Sequence, residues 1–295
     1  MLKPNLFILG APKCGTTSLF SWLMQHNKIF TPREKEPHYF YNPYGTRPSA
    51  EYYFNLYATT NKSHDYAVDA SVWYLFSQTA VHQIVAETVN PKFIVCLRNP
   101  SELAISLHFQ KLFSGHEAVS DFSEAWALSD ERYMGAFSGV RGLRKDADPR
   151  HLSYKHACLL GEQTRKLFEV IDTKNIFFCF LDDIAQSPQK VFFELCQFLG
   201  VPVPEDIIFH VGNRAKAQRS PWVGPTLNTI AKSKQFFGIN RSTGLLSWAH
   251  NANKIERPYA RPENKIKQEM HISFKEDIHL LQCVTGRDLS RWLST

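Results

Sequence analysis

The chain has little with which to staple itself. Its cysteines number six, at positions 14, 96, 158, 179, 196 and 283, and no C-x-x-C pair occurs. Such spacing supplies neither a disulfide framework nor a zinc knuckle. Several of these cysteines lie in apolar runs, where buried free thiols are common, and a reducing compartment is expected. No apolar stretch reaches the roughly 18 residues of a membrane span. The short hydrophobic run near the start meets Pro12-Lys13 before it attains signal-peptide length. Long basic tracts, internal repeats and low-complexity linkers are also missing. Lysine and arginine exceed aspartate and glutamate by 34 to 28, a net charge of +6. That modest balance suits an anionic cofactor or an acidic substrate and gives no argument for nucleic acid. With 43% hydrophobic residues in 295, one large core is affordable. The expectation is a cytoplasmic protein with no transmembrane segment, one domain over residues 1–295.

What is present begins at Leu6. Leu6-Phe7-Ile8-Leu9 is an apolar run of the length of one buried strand. Gly10 ends it, and Pro12, Lys13, Cys14, Gly15 and the Thr16-Thr17-Ser18 run follow. Leu19, Trp22 and Leu23 then recur at helical spacing, which predicts a helix from Gly15 to about His26. Strand, glycine loop and helix make an anion site. The glycines allow a tight turn, the first helical amides lack intrahelical partners, and the helix dipole favours negative charge there. Lys13 adds a full charge and the three hydroxyls add donors. The stretch reads as a phosphate or phosphosulfate cradle. In the nucleotide-triphosphatase loop G-x-x-x-x-G-K-[ST] the lysine follows the second glycine. Here Thr16 holds that place and the lysine stands inside the loop.

Further along, Tyr66–Asp69, Phe93–Leu97 and Ile176–Leu181 read as strands. Ser49–Tyr57, Ser77–Asn90, His151–Val170 and Gln189–Leu199 read as helices, and Ile272–Leu281 as an amphipathic stretch. Arg98 closes the second buried strand, where α/β folds place ligands, and its guanidinium suits phosphate. The charged cluster Arg33-Glu34-Lys35-Glu36 runs into Pro37-His38-Tyr39-Phe40. It reads either as a solvated turn with Tyr39 and Phe40 tucked into the core, or as a functional loop. Residues 114–150 are polar and glycine-interrupted, and read as a mobile loop over an acceptor or as a plain solvated loop. The Asp182-Asp183 pair reads as helix capping and loop solvation, or as part of a metal site.

G-x-P-K-[ST/C]-G-T-T-S-L resembles the 5′-phosphosulfate loop of sulfotransferases that use 3′-phosphoadenosine 5′-phosphosulfate (PAPS). Arg98-x-Pro100 followed by Ser106 resembles their 3′-phosphate motif. Lys35-Glu36-Pro37-His38-Tyr39-Phe40 is similar to the segment carrying the catalytic carboxylate in heparan-type and many bacterial members. Asp69-x-Ser71-x-x-Tyr74 is similar to an acceptor-side segment, with Val72 in place of the family's proline. The closing Gly286-Arg287-Asp288-Leu289 with Trp292 resembles the end of bacterial members. The resemblance implies a three-layer, P-loop-like α/β fold with a central parallel sheet of about five strands flanked by helices. It implies that Lys13, Cys14, Gly15, Thr16, Thr17 and Ser18 bind the phosphosulfate of PAPS, with Lys13 also catalytic. Arg98 and Ser106 would hold the 3′-phosphate, Tyr154 would lie near the nucleotide, and Arg219 and Ser220 would belong to a basic loop closing over that phosphate. Glu36 is the implied base, with His38 the second candidate. The acceptor expected is a saccharide, glycolipid or small molecule, and no metal is required. Two other readings stay open: a P-loop kinase or nucleoside-triphosphatase, and a non-catalytic sugar-binding protein on the same fold.

Overall fold

The computed structural model describes residues 2–41, 47–77, 79–135, 148–209, 216–218, 254–256 and 262–293. Five strands form one parallel sheet: β1 (Leu6–Gly10), β2 (Ile29–Phe30), β3 (Tyr66–Asp69), β4 (Lys92–Leu97) and β5 (Ile176–Phe180). Their order is β2-β3-β1-β4-β5. β1 is buried throughout and β4 along all but its first residue, so both read as unbroken apolar runs. Phe7 of β1 stacks on Phe93 of β4 and meets the edge of Phe40. The chain places β2 and β3 on one side of β1, β2 at the edge, and then crosses to lay β4 and β5 on the other side, which makes the C-terminal end of β1 a topological switch point, where open α/β sheets bind ligands.

Among the described residues the helices are α1 (Thr16–Leu23), α2 (Ala50–Asn55), α3 (Ala80–Glu87), α4 (Pro100–Ser114), α5 (Phe122–Ala127), α6 (Ser129–Tyr133), α7 (Tyr154–Ala157), α8 (Leu160–Leu167), α9 (Leu181–Gln186), α10 (Pro188–Leu199), α11 (Asn264–Thr285) and α12 (Ser290–Leu293). A two-stranded antiparallel pair, β6 (Lys216–Gln218) with β7 (Lys254–Glu256), stands apart from the main sheet.

Three elements differ from the sequence reading. The expected single helix over His151–Val170 is broken into a 3-10 turn, α7 and α8. The break is possible because Asp277 of α11 caps the new helix start: its carboxylate accepts from the amides of Gly161 and Glu162, each at 2.8 Å. The stretch from 114 to 135 is not a free loop. It folds into α5 and α6, and Trp126 and Arg132 are buried; residues 136–147 lie outside the described residues. The C-terminal helix is longer than its amphipathic core, because Gly286 in the left-handed region ends it only after Thr285. Asp182 and Asp183 serve the closing segment: Trp292 Nε1 donates to Asp182 (3.2 Å) and Arg287 to Asp183 (2.7 Å).

Candidate active site

The loop after β1 is shaped by two glycines held at positive φ. Gly10 has φ +135, and a Cβ there would lie 2.3 Å from the carbonyl oxygen of Val72. Gly15, at φ +91, stands at the N-cap of α1, and a Cβ would lie 2.6 Å from Cδ1 of Ile184 in α9. No side chain caps α1 and its first turn has no acidic residue. The dipole of the helix therefore meets no side-chain cap or acidic residue there and favours an anion. Thr17 is exposed, whereas Thr16 and Ser18 are buried. Cys14 points into the core: its thiol donates to the carbonyl of Pro12 at 3.4 Å, and burial pushes it far above the ordinary thiol range. Its share in an anion site is confined to its main chain.

The second cation arrives from β4. Asn99 caps α4 by accepting from the amide of Ser101 (2.9 Å), and Pro100 occupies the first turn. This turn leaves Arg98 at the strand tip. Glu102 holds its Nε and Nη2 at 3.1 and 3.0 Å, and Nη1 donates to the main-chain oxygen of Lys13 at 3.4 Å. Lys13 in turn donates from Nζ to Gln110 Oε1 of α4 at 3.3 Å. Two fixed positive groups thus share the mouth of one loop. Ser106, about two turns along α4, is buried. Tyr154 is wholly buried and donates its hydroxyl to Glu117 (2.9 Å), so it packs in the core and its hydroxyl is committed there. Arg219 and Ser220 lie outside the described residues.

Glu36 faces the same mouth through a residue that sequence reasoning passed over. Lys35 Nζ donates to Glu36 Oε1 (2.9 Å) and to Thr16 Oγ1 of the loop (3.3 Å). In a run of alternating charges nothing tells which cation turns inward; Arg33 is exposed and Lys35 is half-buried. His38 Nε2 lies 3.4 Å from Glu36 Oε2. Burial alone would raise the Glu36 carboxyl, but the hydrogen bond from His38 and the charge and hydrogen bond of Lys35 outweigh it and bring it down to about 2. Glu36 is therefore ionised at neutral pH.

Beyond His38 lies an aromatic wall. His38 is 6.2 Å from the Tyr41 ring, Tyr41 stacks on His151, and His151 stacks on Trp73 with centroids 3.5 Å apart. Lys111 Nζ sits 4.9 Å from the Trp73 centroid. Burial lowers the Lys111 ammonium to about 8, against the pull of Asp148, Glu36 and Glu117. Of the tyrosines in 41–57, Tyr53 and Tyr57 are core residues and offer no face to a sugar.

A family model described as sulfotransferase domain matches residues 3–218. Among curated proteins, the chain is 24% identical over 207 residues to bifunctional heparan sulfate N-deacetylase/N-sulfotransferase 1 of Caenorhabditis briggsae, covering 68% of this chain and 23% of that protein. It is 28% identical over 226 residues to the corresponding protein 4 of Mus musculus, covering 66% and 25%. The match spans about a quarter of the length of these relatives. Among solved structures, a sulfotransferase from Alicyclobacillus acidocaldarius superposes with a TM-score of 0.73 at 22% identity, covering 100% of both chains. A mouse sulfotransferase complexed with PAP gives 0.53 at 13% identity, covering 100% of this chain and 91% of that one. At these identities the structural likeness is one of fold.

Proposed function

The chain belongs to the sulfotransferase-domain family, and from that footing we propose that it transfers a sulfuryl group from PAPS to a hydroxyl or amine of a saccharide or glycolipid, releasing 3′,5′-ADP. The observation that carries the reading is the meeting of Lys13 and Arg98 at one loop, with Glu36 tied to the same loop through Lys35.

The residues fit such a co-substrate. An anion of two phosphate-bearing ends needs two cationic grips, and Lys13 and Arg98 provide them beside uncapped helical amides. Sulfuryl transfer breaks the S–O bond to a phosphate oxygen, forms one to the acceptor, and requires the acceptor proton to leave. Lys13 and the amides before Thr17 are placed to take up charge growing on the phosphate oxygen. Glu36, already ionised, accepts the acceptor's proton, and His38 beside it is the second candidate. Lys35 draws the carboxylate toward the loop. Arg98, fixed by Glu102, selects nucleotides with a 3′-phosphate.

A magnesium nucleoside-triphosphatase would need a carboxylate free at a strand end beside β1. Asp69 ends β3, but its oxygens accept from Ser71, Tyr53 and Tyr74 and it is fully buried. The saccharide class rests on the two curated relatives, whose names specify heparan sulfate. Incubation with ³⁵S-labelled PAPS and a panel of saccharide, glycolipid and small-molecule acceptors tests the reaction. Label is expected on a saccharide or glycolipid. Tight binding of magnesium ATP with none of 3′,5′-ADP, by calorimetry, would overturn it in favour of the triphosphatase reading.

A further inference from the structure

Asp69 is a carboxylate with no exposure at the end of β3. Its strand is keyed to the cradle strand, with Phe7 paired to Asp69. Oδ1 accepts from the amide of Ser71 (3.1 Å) and from its hydroxyl (2.6 Å). Oδ2 accepts from the hydroxyls of Tyr53 (2.8 Å) and Tyr74 (3.0 Å). A hydroxyl has one hydrogen. Once Ser71 and Tyr74 have donated to Asp69, their lone pairs are what they present elsewhere. Both are met by main-chain donors of one loop: His38 N donates to Ser71 Oγ (3.0 Å) and Phe40 N to Tyr74 Oη (3.2 Å). Between those two residues, the ring of Tyr39 lies flat on that of Tyr53, with centroids 4.1 Å apart and planes 2° apart. Three consecutive residues are thus referred to one carboxylate, each through one intermediary.

That loop needs holding. His38 has φ +51, in the left-handed region that a non-glycine residue rarely adopts and keeps only when its surroundings over-determine it. Its turn aims Nε2 at Glu36. We propose that Asp69 is the positioning residue of the acceptor-side loop, setting through Ser71, Tyr53 and Tyr74 where Glu36 and His38 stand relative to the cradle. It touches neither co-substrate nor acceptor. This rests on the reading of Glu36 and His38 as the proton-accepting pair.

The polarity of the network gives it sign. Asparagine in place of Asp69 keeps the shape but turns one acceptor oxygen into a donating amide. Either the Ser71 or the Tyr74 hydroxyl then faces a donor, and its hydrogen is driven toward the amide of His38 or Phe40. The same amides lose their acceptor outright in Ser71→Ala and Tyr74→Phe, which are gentler to the fold.

The test is a ¹³C-carboxyl NMR titration of the full chain labelled at glutamate, with the Glu36 signal assigned by its loss in Glu36→Gln. In the unaltered protein Glu36 titrates at about 2 because Lys35 and His38 lie against it. In Ser71→Ala, Tyr74→Phe and Asp69→Asn it should rise by about one unit or more as those groups separate. Calorimetric affinity for 3′,5′-ADP should stay within about twofold, because Lys13 and Arg98 stand on other elements. An unmoved Glu36 titration in folded Ser71→Ala and Tyr74→Phe overturns the proposal. So does a loss of 3′,5′-ADP affinity that tracks the titration shift, since the network would then hold the whole site and not this loop. Full labelled-sulfate turnover in a Glu36→Gln, His38→Asn double variant would instead remove the base reading beneath it, a result the titration does not depend on.

Discussion

Nη1 of Arg98 donates to the main-chain oxygen of Lys13 at 3.4 Å, across the gap between the tips of β4 and β1. The contact ties the strand tip to the main chain of the loop, while the Lys13 ammonium reaches on to Gln110 of α4. Here the guanidinium is held by Glu102, in the first turn of α4. That pair is largely exposed on the glutamate side and adds little stability; its effect is to hold the fork in one orientation.

Arg98→Ala should therefore weaken binding of 3′,5′-ADP while leaving that of 5′-ADP, which lacks the 3′-phosphate, nearly unchanged. A hydrogen-bonded charge contact of this kind contributes about 1.5–3 kcal/mol, or roughly 10- to 150-fold in affinity. Calorimetry with both nucleotides decides it. Equal losses for the two would put the arginine elsewhere than on the 3′-phosphate.

Glu36 gives a pH prediction whose sign is fixed by its neighbours. Its folded-state pKa is depressed to about 2, so it keeps its charge as pH falls through the ordinary carboxylate range and loses it only near that value. The acid limb of kcat/KM should then show no carboxylate step near 4 to 5 from this residue. Lys35→Met removes one of the groups that lower it, and the limb should move upward in pH. An unchanged profile in that variant would mean that Lys35 does not govern the base. Glu36→Gln should cut turnover by about 10²- to 10⁴-fold, the usual worth of general base catalysis.

The two loop glycines should differ in how they fail. At Gly10 a methyl group meets a backbone oxygen, that of Val72, which cannot swing away. At Gly15 it meets the ends of Ile184 and Leu181, which can change rotamer. Both positions also have positive φ, a cost shared by the two. Gly10→Ala should lower the denaturation midpoint more than Gly15→Ala does. Gly15→Ala should instead show its larger loss in 3′,5′-ADP affinity, since it lies at the first amides of α1.

Much of this was legible from residue order because the informative parts are local. A buried parallel strand is a continuous apolar run, and a glycine loop before a helix declares itself within a few residues, so β1, β3, β4 and β5 and the glycine loop after β1 could be read directly. β2 could not, being two residues long and defined only by its pairing with β3. Lys35 and the Asp69 network were hidden for another reason: their roles depend on which side chains turn inward and on partners such as Ser71 Oγ, 33 positions from His38. The break between α7 and α8 is likewise set from outside, by Asp277 more than a hundred residues away.

The polar segment after α4 is anchored by a buried ion pair. Arg132 of α6 is fully buried and grips Glu117 with two bonds, Nη1 to Oε2 at 2.7 Å and Nη2 to Oε1 at 3.0 Å. Nη1 also donates to the carbonyl of Leu152. Glu117 further accepts from the amides of Ala118 and Val119 and from Tyr154. Removing one partner of such a pair leaves a buried charge uncompensated, at a cost of about 3–5 kcal/mol. Arg132→Met should therefore lower the urea midpoint far more than a surface substitution does. Glu117→Leu should lower it further, because it strands the guanidinium, two amides and a tyrosine hydroxyl, whereas the carboxylate left by Arg132→Met keeps its three other donors. A loss in Arg132→Met no larger than that of a surface substitution would mean that those donors satisfy the carboxylate and the arginine serves only to fill space.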